Sequence, residues 1–150
     1  MRFEREIDIR SSKEKVWRFL WDVDRFIACV PGCKEAGTVE AGKHYTATML
    51  EKVGPFRVEF PMNIDVIESR ELSYIKAVAS GSDSKIGSRM KVELEVNLAG
   101  DGDQTKLVLA ANVDILGKLA TLGHSMIKRK ADQVMDQFAA NLKQKLEANA

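Results

Sequence analysis

The most regular hydrophobic pattern lies in the last part of the chain. From Gly117 to Ala148, Leu119, Leu122, Met126, Ile127, Ala131, Val134, Met135, Phe138, Leu142 and Leu146 recur at steps of three, four and seven. About 100° per residue gathers such positions into one broad helical stripe. Arg129, Asp132, Gln133, Asp136, Lys143 and Gln144 fall on the opposite arc, and no proline interrupts the run. The pattern predicts one continuous helix, roughly 45 Å long at 1.5 Å per residue. A stripe of that length needs a broad cover, and the preceding chain supplies mostly strands.

Phe3, Ile7 and Ile9 alternate with Glu4, Glu6 and Asp8, which predicts a first strand over residues 2–10 with one face covered. Ser11, followed three residues later by Glu14, reads as a capping box. Val16, Trp17 and Leu20 then set a short helix over 13–21. A second helical turn runs from Asp24 to Val30 and stops at Pro31-Gly32. Beyond Cys33, turn formers at 41–42, 54–55, 69–70, 82–87 and 100–103 divide the chain into six strands, near 34–40, 43–53, 55–69, 72–80, 90–98 and 105–115. The strand after Pro55 is the clearest, because Phe56, Val58, Phe60, Met62, Ile64 and Val66 take every second position. Met90, Val92, Leu94, Val96 and Leu98 repeat the pattern, as do Leu107, Leu109, Ala111, Val113 and Ile115. These three strands are expected to form the floor beneath the helix. The whole is an α+β domain over residues 1–150, a curved seven-stranded antiparallel sheet with two short helices and a long C-terminal helix.

Charge narrows the function. Lysine and arginine number 23 against 22 acidic residues, so there is no net basic field to draw the protein to nucleic acid. No window is apolar enough to span a bilayer, and the first residues do not read as a signal peptide, which leads us to expect a cytoplasmic protein. Cys29 and Cys33, the only two cysteines, sit close together, whereas a small secreted scaffold spreads several along the chain, so both are read as reduced thiols. Pro31-Gly32 keeps them off one helical face and no other metal ligands cluster nearby, which makes a poor metal site. No phosphate-binding glycine loop, serine triad or zinc signature is present, and the reading requires no cofactor.

The order strand, two short helices, six strands, long helix resembles the START and Bet v 1-like helix-grip superfamily. Finer motifs narrow it. Val16-Trp17, Leu20, Asp22, Cys29-Val30-Pro31-Gly32-Cys33, Gly54-Pro55, Thr105-Lys106-Leu107, the run from Gly117 to Gly123, Gln137-Phe138 and Asn141-Leu142 together resemble the family of the carbon monoxide dehydrogenase G subunit (CoxG). The resemblance implies an apolar cavity between sheet and helix. It also implies an accessory role for a molybdenum-containing carbon monoxide dehydrogenase or related hydroxylase. An apolar ligand such as a quinone or lipid would link that enzyme to membrane quinones, with peripheral contact at the inner membrane face. Longer relatives carry a C-terminal extension, so contact made through such a tail is not carried over to this chain. The same superfamily also contains polyketide cyclases and aromatases, and a pure interaction module with a collapsed cavity is a third alternative.

The candidate cavity residues are Met49, Phe60, Met62, Met90, Leu109, Leu119, Gly123, His124, Ile127 and Met135. Methionine suits an adaptable lining, although five methionines (49, 62, 90, 126 and 135) equally suit plain core. Glycines at 117 and 123 read either as a flexible helix entry or as points of close ligand approach. Helical phase points His124 inward, where it would either donate a hydrogen bond to a ligand carbonyl or settle the helix boundary. His44 reads as a solvated turn residue. Lys128-Arg129-Lys130 reads as a solvated helix surface, with anionic lipid or an acidic partner as the alternative. Among the carboxylates only Glu51, in step with Tyr45, Ala47, Met49 and Val53, has a phase that could face inward.

Overall fold

The alternation at the N-terminus builds β1 (Arg2–Ile9), and it buries Phe3, Ile7 and Ile9 on one face. The chain then turns into α1 (Lys13–Trp21). Its cap is Ser12, whose Oγ accepts the Lys15 N–H at 3.3 Å. Ser11, expected as the cap, is buried instead, and its carbonyl accepts the Thr105 hydroxyl at 2.7 Å. After α2 (Val23–Ala28) come β2 (Cys33–Glu40), β3 (His44–Val53), β4 (Phe56–Arg70), β5 (Tyr74–Asp83), β6 (Ser88–Asp101) and β7 (Gln104–Gly117). All of this is seen in a computed structural model describing residues 1–148; Asn149 and Ala150 lie outside the described residues.

The seven strands form one antiparallel sheet in the order β1-β7-β6-β5-β4-β3-β2. Every pairing from β2 to β7 joins consecutive strands, which short turns make the natural outcome. The exception is β1, which closes the other edge against β7. The floor differs from the expected one. β5 lies at the centre of the sheet, between β4 and β6, so the wall beneath the helix includes it. Its weak alternation comes from small inward residues, Ala77 and Ala79, rather than from an outlying position.

The C-terminal helix is not continuous from Gly117. A 3₁₀ turn (Lys118–Leu122) comes first, Gly123 breaks the chain, and α3 runs from His124 to Ala148, about 37 Å. Periodicity could not reveal this, because the cause is tertiary. The Leu119 N–H is held by Ser88 Oγ at 2.8 Å and the Lys118 N–H by the Gly87 carbonyl at 3.2 Å, which fixes the turn against the start of β6. Gly117 (φ 88°, ψ −151°) and Gly123 (φ 92°, ψ 153°) adopt backbone angles that only glycine enters readily. A Cβ on Gly117 would lie 2.0 Å from the Gly87 carbonyl oxygen. Gly117→Ala is therefore expected to cost about 1–3 kcal/mol from backbone strain alone, read as a lower urea midpoint at unchanged slope. An unchanged midpoint would mean that this joint carries no strain.

The core divides into two clusters. In one, α1 and α3 pack on β1, β6 and β7, with Val16, Leu107, Leu109 and Leu142 fully buried. Phe26 of α2 meets Phe138 of α3 edge to face at 5.4 Å, and Asn141 Nδ2 donates to the Cys29 carbonyl at 2.9 Å. The other cluster joins β3, β4, β6 and the 3₁₀ turn through Val53, Val58, Phe60, Met62, Met90 and Leu119. Arg5 fastens α3 to the β1 edge by reaching Asp132 at 3.0 Å and Asp136 at 2.8 Å.

Candidate functional site

Between the two clusters the sheet curves away from α3 and leaves a cavity of about 290 Å³, close to the lower end of the range of small-molecule sites, about 300–1,000 Å³. It has three walls. β3 to β7 supply the curved one, with Met49, Phe60, Met62, Ala77 and Met90 among its residues. α3 contributes Ile127, Ala131, Val134 and Met135 above it, and Leu119 closes the end next to the 3₁₀ turn. Phe26 and Val30, from α2 and the loop after it, complete the third side. Small side chains, Ala77 and Ala79 of β5 and Ala131 of α3, are among the residues that line the cavity.

Seven of the ten candidates, Met49, Phe60, Met62, Met90, Leu119, Ile127 and Met135, therefore meet around one cavity. Leu109, Gly123 and His124 do not. Leu109 shares the face of β7 that carries Ala111 and Val113 but stands farther along the strand, fully buried in the cluster beneath α1 and α3 and off the cavity. Gly123 and His124 are exposed: His124 keeps the helical phase of Met135 and Leu142, but it is the first residue of α3, where that face of the helix is left uncovered. Met126, in the same first turn of α3, is 39% exposed, and its sulfur lies near Gly54 in the β3–β4 turn rather than in the cavity. His44 pairs through Nδ1 with Asp65 at the outer end of β3.

Two charged side chains line the cavity among the described residues, Glu51 from β3 and Lys130 from α3, and they form an ion pair. Both are partly exposed, 20% and 29%, so the pair stands where the cavity meets solvent. Lys130 thus does not belong to a uniformly solvated basic surface. Lys128 pairs with Asp132 at 2.9 Å, Arg129 is exposed, and Lys130 turns to the cavity. Sequence spacing flagged Glu51 but offered no sign of Lys130, since its partner is on a strand far away in the chain. Gly32 makes room for the pair, for a Cβ there would come within 2.5 Å of Glu51 Oε2 and 2.2 Å of the Leu50 carbonyl oxygen.

Cys33 lies on the same rim. Burial, and then the Glu51 carboxylate, push its thiol up to about 11, whereas an ordinary thiol titrates near 8.5. At pH 8 the thiolate is then on the order of one part in a thousand, and only the thiolate is nucleophilic. Iodoacetamide at pH 8 is expected to leave Cys33 unmodified while it alkylates glutathione, with the rate climbing about tenfold per pH unit up to pH 10. In Glu51→Gln the same rate should rise at every pH. Fast labelling of the unaltered protein at pH 8 would contradict this placement. Cys29 is buried and its Sγ donates to the Arg25 carbonyl at 3.4 Å; both thiols are free. Among the described residues no group of three or more His, Cys, Asp or Glu side chains is placed to hold a metal, and no helix is long and apolar enough to cross a membrane.

A family model, that of the carbon monoxide dehydrogenase G subunit (CoxG), matches residues 6–147 of this chain. The chain belongs to the CoxG family. Comparison with curated proteins returns no significant match. Solved structures place this CoxG family member in the START, helix-grip fold. A conserved protein from Geobacillus kaustophilus superimposes with a TM-score of 0.84 at 18% identity, over 97% of this chain and 95% of that one. A START superfamily protein from Mycobacterium smegmatis gives 0.73 at 12% identity over 99% of both chains. The Zhui aromatase/cyclase from Streptomyces sp. R1128 gives 0.71 at 14% identity, over 98% of this chain and 93% of that one. At these identities the likeness concerns the fold.

Proposed function

We propose that the protein holds one apolar small molecule, a quinone or a lipid, in the cavity between α3 and the sheet, without transforming it. It does so as an accessory of a molybdenum-containing carbon monoxide dehydrogenase or related hydroxylase, coupling that enzyme to membrane quinones through peripheral contact with the membrane. The cavity carries this reading, because its walls are apolar except near the rim and its size suits a ring system or a short chain. Family membership supports the enzyme partner. Native mass spectrometry of the gently purified protein, followed by extraction and identification of what comes off, tests the ligand. The expected result is a prenyl quinone or other lipid in about one copy per chain. A protein that is empty and also takes up no added quinone would overturn the carrier reading and leave a docking module. Co-purification of a tagged protein with the hydroxylase tests the partner.

A further inference from the structure

A net charge near zero hides a division of charge that the fold makes along the sheet. We infer that the end carrying the 3₁₀ turn docks on an anionic lipid bilayer, with its cations at the level of the phosphates and its exposed aliphatic side chains below them. This rests on the membrane contact of the proposed function and names the surface and the lipid charge that make it.

Three connections meet at that end. They are the β3–β4 turn (52–57), the β5–β6 turn (84–89) and the segment from the end of β7 through the 3₁₀ turn into α3 (116–126). A Cβ on Gly54 would lie 3.1 Å from the Met126 sulfur and 3.4 Å from Leu122, the Lys118 ammonium stands 5.8 Å from the centre of the Phe56 ring, and Arg89 pairs in register with Leu116. The three segments carry Lys52, Arg57, Lys85, Arg89 and Lys118 and no acidic residue. All five cations are exposed, and among the described residues none of them forms an ion pair. Asp83, beside the second turn, is buried, where its carboxylate accepts the Glu59 N–H at 2.8 Å and the Lys85 N–H at 2.9 Å. The turns at the other end, 40–43, 68–73 and 101–104, carry Glu40, Glu68, Glu71, Asp101 and Asp103 against Lys43 and Arg70. The molecule thus has a basic end and an acidic end, and an anionic surface orients it by the first.

Apolar exposure falls on the same end. Leu116 is 61% exposed, Met126 is exposed beside it in the first turn of α3, and Pro55 is exposed on the β3–β4 turn. Protein interfaces favour aromatic residues and arginine and are depleted in lysine. Here three of the five cations are lysines, and the one phenyl ring, Phe56, is faced by Lys118. Aliphatic side chains flanked by long cationic ones suit a bilayer instead, where the stems lie along apolar surface and the charged heads stay with the phosphates. The surface also adjoins the proposed site, because Leu119 of the same 3₁₀ turn lines the end of the cavity.

Cosedimentation of the purified full chain with vesicles tests this. One set contains one part phosphatidylglycerol to two of phosphatidylcholine, and the other phosphatidylcholine alone. The protein is expected to bind the anionic vesicles at about 50 mM salt, to bind the neutral ones far more weakly, and to come off the anionic ones at about 300 mM. Lys85→Gln with Lys118→Gln should weaken binding about 25-fold, roughly fivefold for each cation. Lys43→Gln with Arg70→Gln removes the same charge from the other end and should change it less than twofold. Leu116→Ser should cost about tenfold, which adsorption by charge alone would not show. Equal binding to both vesicle types, or equal losses in the two double variants, would overturn the inference. So would the absence of vesicle binding with capture of the hydroxylase that depends on Lys85 and Lys118, because the surface would then serve an acidic protein. Dialysis against 2,3-dimethyl-1,4-naphthoquinone on the same samples keeps the two readings apart. Quinone uptake without vesicle binding would overturn this surface and leave the cavity function, whereas vesicle binding without quinone uptake would leave the surface and overturn the carrier.

Discussion

Ala77→Phe is expected to weaken uptake of 2,3-dimethyl-1,4-naphthoquinone about a hundredfold or abolish it, with no loss of thermal stability. Ala77 stands at the middle of β5, the central strand, where its methyl group faces the cavity. A phenyl ring at that position occupies the space the ligand needs, in a part of the cavity that neither packed cluster fills. Filling an apolar void normally stabilises, since lining atoms regain contacts they lacked. The substitution therefore separates binding from folding more cleanly than truncating a wall residue would. Equilibrium dialysis and a thermal melt on the same sample give both readouts. Undiminished uptake by a folded Ala77→Phe protein would place the ligand elsewhere and remove the central support of the carrier reading.

The second large effect concerns the clamp that keeps the cavity open. Leu142 is fully buried where α3 packs on α1, β1 and β7, and the far end of the helix is held by Leu119 and the 3₁₀ turn. The helix spans the cavity between these two fixed ends. Leu142→Ala is expected to destabilise the fold by about 3 kcal/mol, the usual cost of a fully buried leucine truncation, and to lower the melting temperature by roughly 10 °C in a chain of this size. Chemical denaturation at constant slope would measure it. A change below about 1 kcal/mol would mean that this end of α3 is not anchored through its leucines.

The start of α3 could not have been located from spacing alone, whereas its end at Ala148 was. Phe138, Leu142 and Leu146 obey the stripe because the sheet together with α1 and α2 covers them, and there periodicity and burial agree. Leu119 also fits the stripe and is buried, yet it belongs to another element, since 3₁₀ and α turns differ too little over five residues to be told apart by pattern. The strands behaved the same way. β4 was legible because Val58, Phe60 and Met62 are buried and Arg57, Glu59 and Asn63 are not. β5 was legible as a strand but not as part of the floor, because alanine at 77 and 79 carries almost no hydrophobic signal, and those small side chains are among the residues that line the space above it.

The short motifs that resemble the CoxG family explain themselves largely as joints. Gly32 lets β3 pass close, Asn141 ties α3 to the end of α2, and Gly117 seats the 3₁₀ turn on Gly87. That is why such scattered residues could point to a family and still say little about a ligand. Local pattern settles what local physics controls: where strands and helices fall, which face of each is apolar, and that a sheet must wrap a terminal helix. The break at Gly123, the exposure of His124 and the meeting of Lys130 with Glu51 depend on contacts between residues far apart in the chain. Such contacts leave no periodic trace, and only the folded arrangement of sheet and helix brings them about.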